Sequence, residues 1–420
     1  SSGGLLKTGE GLLQLSGTST FAGGIDLRGG GLVFTISSTG TPPALLNGPF
    51  GTGSLLLNAS GLRLSSGLSG GASRSLGNPI AFSSAAATLV LGMPNSGLLT
   101  LSGDILWNSS APASGTLHTL SVANALGAVF SGSLLGAASG DALIKEGPGP
   151  LVLSNPANAS SWATSGARAF VISNGSLEIQ GGTGSSFEAL GMPPTSTVPD
   201  NIVLDGGVLS LNLTALSGTL DSKRGIQVGP ASGAGMGAIA VPSAHNVTYT
   251  GVIANQSGGT GGLLKTGLGT FSLSAPQSFS GPLLIAGGSL VLSGSSAAAV
   301  AAIIPGTSSI QLGGGTLALL IDGDASLRTG TLPTAENILL LQSSSITVGR
   351  ANLAPLPQGQ SLNKTIQIGA LTLDTNTLTV TPTSGYGLEV TGPVSLKAGA
   401  NFSVSSTQTS DVLPGLRISG

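Results

Sequence analysis

One stretch of this chain is written more than once. Gly3-Gly4-Leu5-Leu6-Lys7-Thr8-Gly9-Glu10-Gly11-Leu12-Leu13-Gln14-Leu15-Ser16 returns as Gly261-Gly262-Leu263-Leu264-Lys265-Thr266-Gly267-Leu268-Gly269-Thr270-Phe271-Ser272-Leu273-Ser274. A weaker copy runs from Asp141 to Ser154 and carries Lys145 at the lysine position. Phe21-Ala22-Gly23 and Phe279-Ser280-Gly281 follow the two strong copies. A glycine-rich turn and another strand pattern come next, Gly29 to Phe34 and Gly287 to Leu292. This spacing divides the chain into three large repeats, near 1–138, 139–258 and 259–420. A chain built from such units must bury its apolar residues by stacking one unit on the next.

Within the units the hydrophobic period is two. Thr270-Phe271-Ser272-Leu273-Ser274 and Leu371-Thr372-Leu373-Asp374 alternate polar and apolar residues, the pattern of a strand with one buried face. Leu13 with Leu15, Leu151 with Leu153 and Phe271 with Leu273 are assigned to the interior. Glycine clusters such as Gly206-Gly207 and Gly313-Gly314-Gly315 mark the corners. The pattern predicts an all-β chain folded as a right-handed parallel β-helix, a single continuous solenoid over 1–420. Its coils are expected to hold roughly 20–25 residues each. Loops are expected near 183–200 and 295–308, with Ala297–Ile304 as the best helical stretch. A β-sandwich is the competing fold, but the Asn-Gly type of hairpin turn it needs is sparse.

Composition narrows the function. Only 30 of 420 residues are charged, 14 Lys plus Arg against 16 Asp plus Glu, or 7% of the chain. A typical domain has about a quarter. The net charge of −2 leaves no basic footprint for nucleic acid. With no cysteine there is neither a disulfide framework nor a thiolate metal site. No apolar run approaches the roughly 20 residues that cross a bilayer as a helix. No secretory signal is visible.

The combination Gly-Gly-Leu-Leu-Lys-Thr-Gly-x-Gly, a strand, Phe-x-Gly and Gly-Gly-x-Leu resembles the autotransporter-associated β-strand repeat, found in passenger regions of bacterial autotransporters and in large bacterial surface proteins. The match is close at residues 3–34 and 259–294 and partial at 139–180. The resemblance implies a parallel β-helix, secretion and an extracellular or cell-surface location, and it implies no enzymatic activity. No translocating barrel follows in this sequence, a departure from the autotransporter arrangement.

The chemistry-bearing residues are few, and each reads as structural. Lys7, Lys145 and Lys265 are expected to end a strand beside a glycine turn, with the stem over the coil and the ammonium in water. Asp322-Gly323-Asp324 is the tightest carboxylate pair. Two carboxylates are too few for Ca²⁺, and aspartates two apart favour a turn. His118 and His245, the two histidines, have no second ligand at metal spacing. The serines lack a nucleophile elbow and a histidine base. Gly313-Gly314-Gly315 is followed by neither the Lys-Ser/Thr nor the helix of a phosphate loop. Asn-x-Ser/Thr occurs at Asn58, Asn108, Asn158, Asn174, Asn212, Asn246, Asn255, Asn363 and Asn401, of which some arise by chance in so Ser- and Thr-rich a chain. No catalytic, cofactor-binding or metal residue is assigned, and no cofactor.

The function expected is therefore structural and non-enzymatic. A surface with so few charges offers little repulsion between copies. Both termini begin or end without a capping helix, which predicts head-to-tail as well as lateral self-association into a filament. The alternative is an adhesin passenger that binds cells or surface glycans through its loops. A polysaccharide-degrading β-helix enzyme would need clustered acids, and the charges here are scattered.

Overall fold

The computed structural model describes residues 2–68, 70–83, 87–107, 117–136, 140–164, 166–180, 182, 186–294, 303, 309–321, 329–331, 338–351, 365–405 and 415–420. The expected loop at 295–308, the helical stretch Ala297–Ile304 (Ile303 apart) and the pair Asp322 and Asp324 lie outside them. The described chain is almost all strand, paired in parallel and stacked as a β-solenoid, as the repeat pattern predicts. It forms two compact units, Ser1–Ala215 and Leu216–Gly420.

In the first unit three parallel sheets line the coil. Sheet I begins with Leu5–Lys7 and Ile25–Leu27 and ends with Ile105–Leu106 and Leu134–Leu135. Sheet II runs from Leu12–Leu15 through Gly31–Phe34 and Ala142–Glu146 to Val198–Leu204. Sheet III runs from Arg74–Leu76 through Leu151–Leu153 to Val208–Leu211. One antiparallel pair, Thr39–Thr41 with Ala44–Asn47, interrupts the parallel pattern.

The second unit is built the same way. Sheet IV holds, within this unit, Arg224–Val228 and Ile253–Asn255. Sheet V runs from Gly233–Ala240 and Gly259–Thr266 through Leu283–Ile285 to Val394–Leu396. Sheet VI runs from Ser217–Leu220 through Thr270–Leu273 to Asn401–Val404, and sheet VII from Thr329–Thr331 to Leu416–Ile418.

Register makes the core continuous. Ile25, Leu55, Ile80, Ile105 and Leu134 stack in one row of sheet I, and each is buried. Phe271, Leu290, Leu317 and Ile346 do the same in sheet VI. The alternation read from sequence is correct here: Leu151, Leu153, Phe271 and Leu273 point inward and are buried. Phe82, Trp107, Trp162 and Phe170 continue the first unit's core as an aromatic file, with successive centroids 5.6, 5.5 and 5.2 Å apart. Tilted and edge-on contacts at these distances are favourable beyond the area they bury.

Coil length is more variable than expected. The two strong repeat copies make the short coils: Leu5 pairs Ile25 and Leu263 pairs Leu283, twenty residues on in each case. Elsewhere Leu27 pairs Leu57 and Leu340 pairs Leu373, thirty and thirty-three residues on. The short coil holds two strands, whereas most coils hold three. The chain returns through Phe-x-Gly directly onto the Gly-Gly that opens the motif. Gly281 donates to the carbonyl of Gly261 at 2.7 Å, and a Cβ at Gly281 would lie 2.6 Å from that oxygen. The glycine is there because two backbones touch.

Candidate functional site

The recurring lysine is the one charged group that all three repeats share, and its placement differs from expectation. Lys145 and Lys265 are fully buried, each at 0% exposure, and Lys7 is half-buried. The ammonium groups of Lys145 and Lys265 are not in water. In Leu-Leu-Lys the first leucine and the lysine share a side of the strand, so the lysine occupies a core row. Lys145 lies between Leu120 and Ile172, and Lys265 between Ile239 and Ile285. Its stem fills an aliphatic position. The strand then ends at a corner whose carbonyls turn inward, and the ammonium is aimed at them.

Each ammonium donates three hydrogen bonds to three backbone carbonyls. Lys7 Nζ donates to Thr8, Gly9 and Gly29 at 2.9, 2.7 and 3.0 Å. Lys145 Nζ donates to Glu146, Gly147 and Asn174 at 2.7, 2.8 and 3.0 Å. Lys265 Nζ donates to Thr266, Gly267 and Gly287 at 2.8, 3.0 and 3.1 Å. Two acceptors belong to the lysine's own turn and the third to the turn one coil on. A lysine ammonium has three donors, and here all three are used. The arrangement staples one coil corner to the next. Burial pushes both deeper amines down to about 8, with the adjacent Glu146 charge opposing the shift at Lys145.

The motif copies in 139–180 and 259–294 also sit where a sheet stops. Sheet I ends at Leu134–Leu135, just before the Lys145 copy, and sheet IV ends at Ile253–Asn255, just before the Lys265 copy. A terminal parallel strand has backbone groups with no neighbour to receive them. Two buried side-chain amides take that place. Asn158, in the short helix Asn158–Ser161, accepts the N–H of Leu134 at 2.9 Å and donates to Ala189 at 3.1 Å. Gln277 accepts the N–H of Ile253 at 2.5 Å and donates to the carbonyls of Gly251 and Ala275. Nothing in the sequence marks Gln277 for this role, and Asn158 stands out there only as part of Asn-Ala-Ser.

Residues 5–34 and 263–292 match the passenger-associated-transport-repeat. The chain is a parallel β-solenoid that carries two copies of this passenger-type repeat. The family match takes in Lys7 and Lys265. The copy around Lys145 lies outside it, yet its lysine makes the same three-carbonyl contact. No curated protein and no solved structure matches this chain. The repeat family implies a protein that is secreted or exposed at a surface.

The remaining candidates are dispersed through the chain. His118 is buried beside Phe82 and Trp107, with ring centroids 4.6 and 5.0 Å away, and its Nε2 is 2.7 Å from the Trp107 carbonyl. It belongs to the aromatic file. His245 lies in a turn, with Nδ1 2.9 Å from the Ser243 carbonyl. The two histidines sit in different units. Among the described residues no three His, Asp or Glu side chains converge as a metal site. Of the Asn-x-Ser/Thr asparagines, Asn158 is buried and Asn255 is engaged with Ser280 and Gly261, whereas Asn174, Asn246 and Asn401 are exposed. Asn108 and Asn363 lie outside the described residues.

Two further polar groups are held by the fold. Glu389 accepts from Gln367 and Ser419 at 3.0 and 2.8 Å and pairs with Arg417. The hydrogen bond from Gln367, then that from Ser419, holds its carboxyl below the ordinary value against the effect of burial. Buried Tyr249 donates to the carbonyls of Arg224 and Val252. Burial, and to a lesser degree the Asp221 charge, pushes its phenol up.

Proposed function

We propose that this passenger is a non-enzymatic structural scaffold displayed outside the cell, and that copies of it associate side by side. The supporting observation is the outer face of sheet VI. None of its eight strands contains a charged residue. One outward row reads Ser217, Asn246, Thr270, Ser289, Thr316, Ser345, Thr379 and Ser403 in continuous register. All are exposed or half-buried. An uncharged, hydrogen-bonding face has no electrostatic barrier to a like face. The lysine positions support the non-enzymatic reading, since each ammonium is spent on backbone carbonyls.

The test is the oligomeric state of the purified passenger over a range of concentrations, by sedimentation velocity and electron microscopy. Laterally paired or bundled particles that disperse in a Thr270→Lys, Thr316→Lys variant support the proposal. Single particles at every concentration overturn it. The hydroxyl row also favours a second reading, an adhesin that binds a glycan on this face. A saturable glycan signal lost in the same variant supports that reading.

A further inference from the structure

At the third carbonyl that receives the lysine, the middle repeat copy differs from the other two in residue type, and the difference is chemical. The third carbonyl of each lysine staple comes from Gly29, Asn174 or Gly287. Asn174 is followed by Gly175, held at φ +63°, where a Cβ would lie 2.5 Å from the Gly147 carbonyl. The fold therefore imposes the glycine, while the asparagine stands where glycine serves in the other copies. Asn-Gly is the dipeptide in which the following backbone nitrogen most readily reaches the asparagine side chain, because glycine presents no side chain to obstruct it. Here Asn174 is exposed and its Oδ1 lies 2.7 Å from the Gly175 nitrogen. On the other side of the same residue, the Lys145 ammonium donates to the Asn174 main-chain carbonyl at 3.0 Å.

We propose that Asn174 is a self-modification site that matures to isoaspartate, with Lys145 selecting that product. The Gly175 nitrogen gives its proton to water or hydroxide and forms a bond to the Asn174 Cγ. The side-chain Nδ2 leaves with that proton as ammonia, closing a succinimide in which the Gly175 nitrogen is bonded to both carbonyl carbons. Water then opens the ring. Attack at Cγ breaks the Cγ–N bond and gives aspartate. Attack at the main-chain carbonyl carbon breaks its bond to nitrogen and gives isoaspartate, with the former main-chain carbonyl released as a carboxylate. Net, one water is taken up and one ammonia lost. The ammonium on the main-chain carbonyl withdraws electron density from that carbon and stabilises the oxyanion that develops there, so it favours the second route. The product carboxylate then faces the buried ammonium directly, and a neutral acceptor of the staple becomes a charged one. The copies at Gly29 and Gly287 cannot undergo this reaction.

The experiment ages the unglycosylated, folded full chain at mildly alkaline pH beside the same chain in denaturant. Peptide mapping by mass spectrometry follows, with isoaspartyl methyltransferase labelling as the probe for isoaspartate at Asn174. The expected result is conversion at Asn174 in the folded chain, with an isoaspartate-to-aspartate ratio several-fold above that of the denatured chain. In folded Lys145→Gln that ratio falls to the denatured value. An Asn174 that stays intact in the folded chain while the denatured chain converts overturns the proposal. So does an equal ratio in folded and denatured wild-type chain, a comparison that requires no variant to fold.

Discussion

The side-chain carbonyl of Gln277 accepts the backbone N–H of Ile253 at 2.5 Å, on the last strand of sheet IV. A side-chain amide carries the same donor and acceptor as a peptide group, so Gln277 receives this N–H as a further strand would, while the Ile253 carbonyl accepts the backbone N–H of Ser278 at 2.9 Å. Asn158 does the same for Leu134 at the end of sheet I. A solenoid that drops one side of its coil and continues on the others exposes an edge at the change, and these amides close it.

Replacing Gln277 by leucine keeps most of the volume and removes the cap. The buried N–H of Ile253 is then left without an acceptor, which costs about 1–3 kcal/mol. Urea denaturation reads the loss. Hydrogen exchange places it, with the Ile253 amide accelerated far more than the amides of Leu263 or Leu283. Asn158→Leu is expected to behave alike at Leu134.

Lys265→Met retains an aliphatic stem and deletes three charge-assisted hydrogen bonds. The carbonyls of Thr266, Gly267 and Gly287 lose their common donor, and the expected destabilisation is about 3 kcal/mol, near that of a buried hydrogen bond to a charged group. Lys265→Arg does not rescue it, because a planar guanidinium does not fit three carbonyls converging on one nitrogen. Thermal or urea unfolding of the three chains checks both statements.

Much of this architecture is legible in the sequence, and the lysine shows where legibility stops. The repeat and its period of two place Phe271 and Leu273 inside correctly. The same alternation, carried two residues from Leu263 to Lys265, places the lysine inside as well. Charge points to water and pattern to the core, and the pattern prevails because two carbonyls of the lysine's own turn and a third from the turn one coil on accept its three donors. The third acceptors are twenty-two or twenty-nine residues distant from their lysines. No local motif displays them, and the same holds for Gln277 and Ile253. The changes of coil side are equally silent in sequence, since every side is lined by the same leucines, isoleucines and valines.

Stability depends on pH through the buried amines. The unfolded chain keeps its lysine protons up to the ordinary value of 10.5, while folded Lys145 and Lys265 release theirs near about 8. Between those values the unfolded state binds more protons, so stability rises with pH across that window and is flat in this contribution below it. The raised phenol of Tyr249 works in the opposite sense above its ordinary value of 10.0, because there the unfolded chain has already lost its proton. Urea midpoints taken at intervals from neutral pH to about 10 should therefore climb, and the climb should flatten in a Lys145→Met, Lys265→Met chain.

Glycines with the same backbone angle are not equally demanding. Gly61 and Gly267 have φ of +74° and +73°, but a Cβ at Gly61 meets nothing within 4 Å, whereas one at Gly267 would lie 2.3 Å from the Val241 carbonyl. Gly61→Ala is expected to cost about 1–2 kcal/mol, the left-handed strain alone. Gly267→Ala adds a collision with fixed backbone at the staple and should abolish soluble, protease-resistant protein. Limited proteolysis of the two variants side by side distinguishes them.

The repeat's lysine is a core residue whose ammonium binds two successive coils together. Amine-reactive labelling of the native chain, followed residue by residue with mass spectrometry, tests it most directly. Lys397, whose side chain is 69% exposed, should label at once. Lys145 and Lys265 should label only at the rate at which the solenoid opens, and should become as reactive as Lys397 in denaturant. Prompt labelling of Lys145 and Lys265 in the folded chain, at the rate of Lys397, would place their amines in solvent instead of in the core.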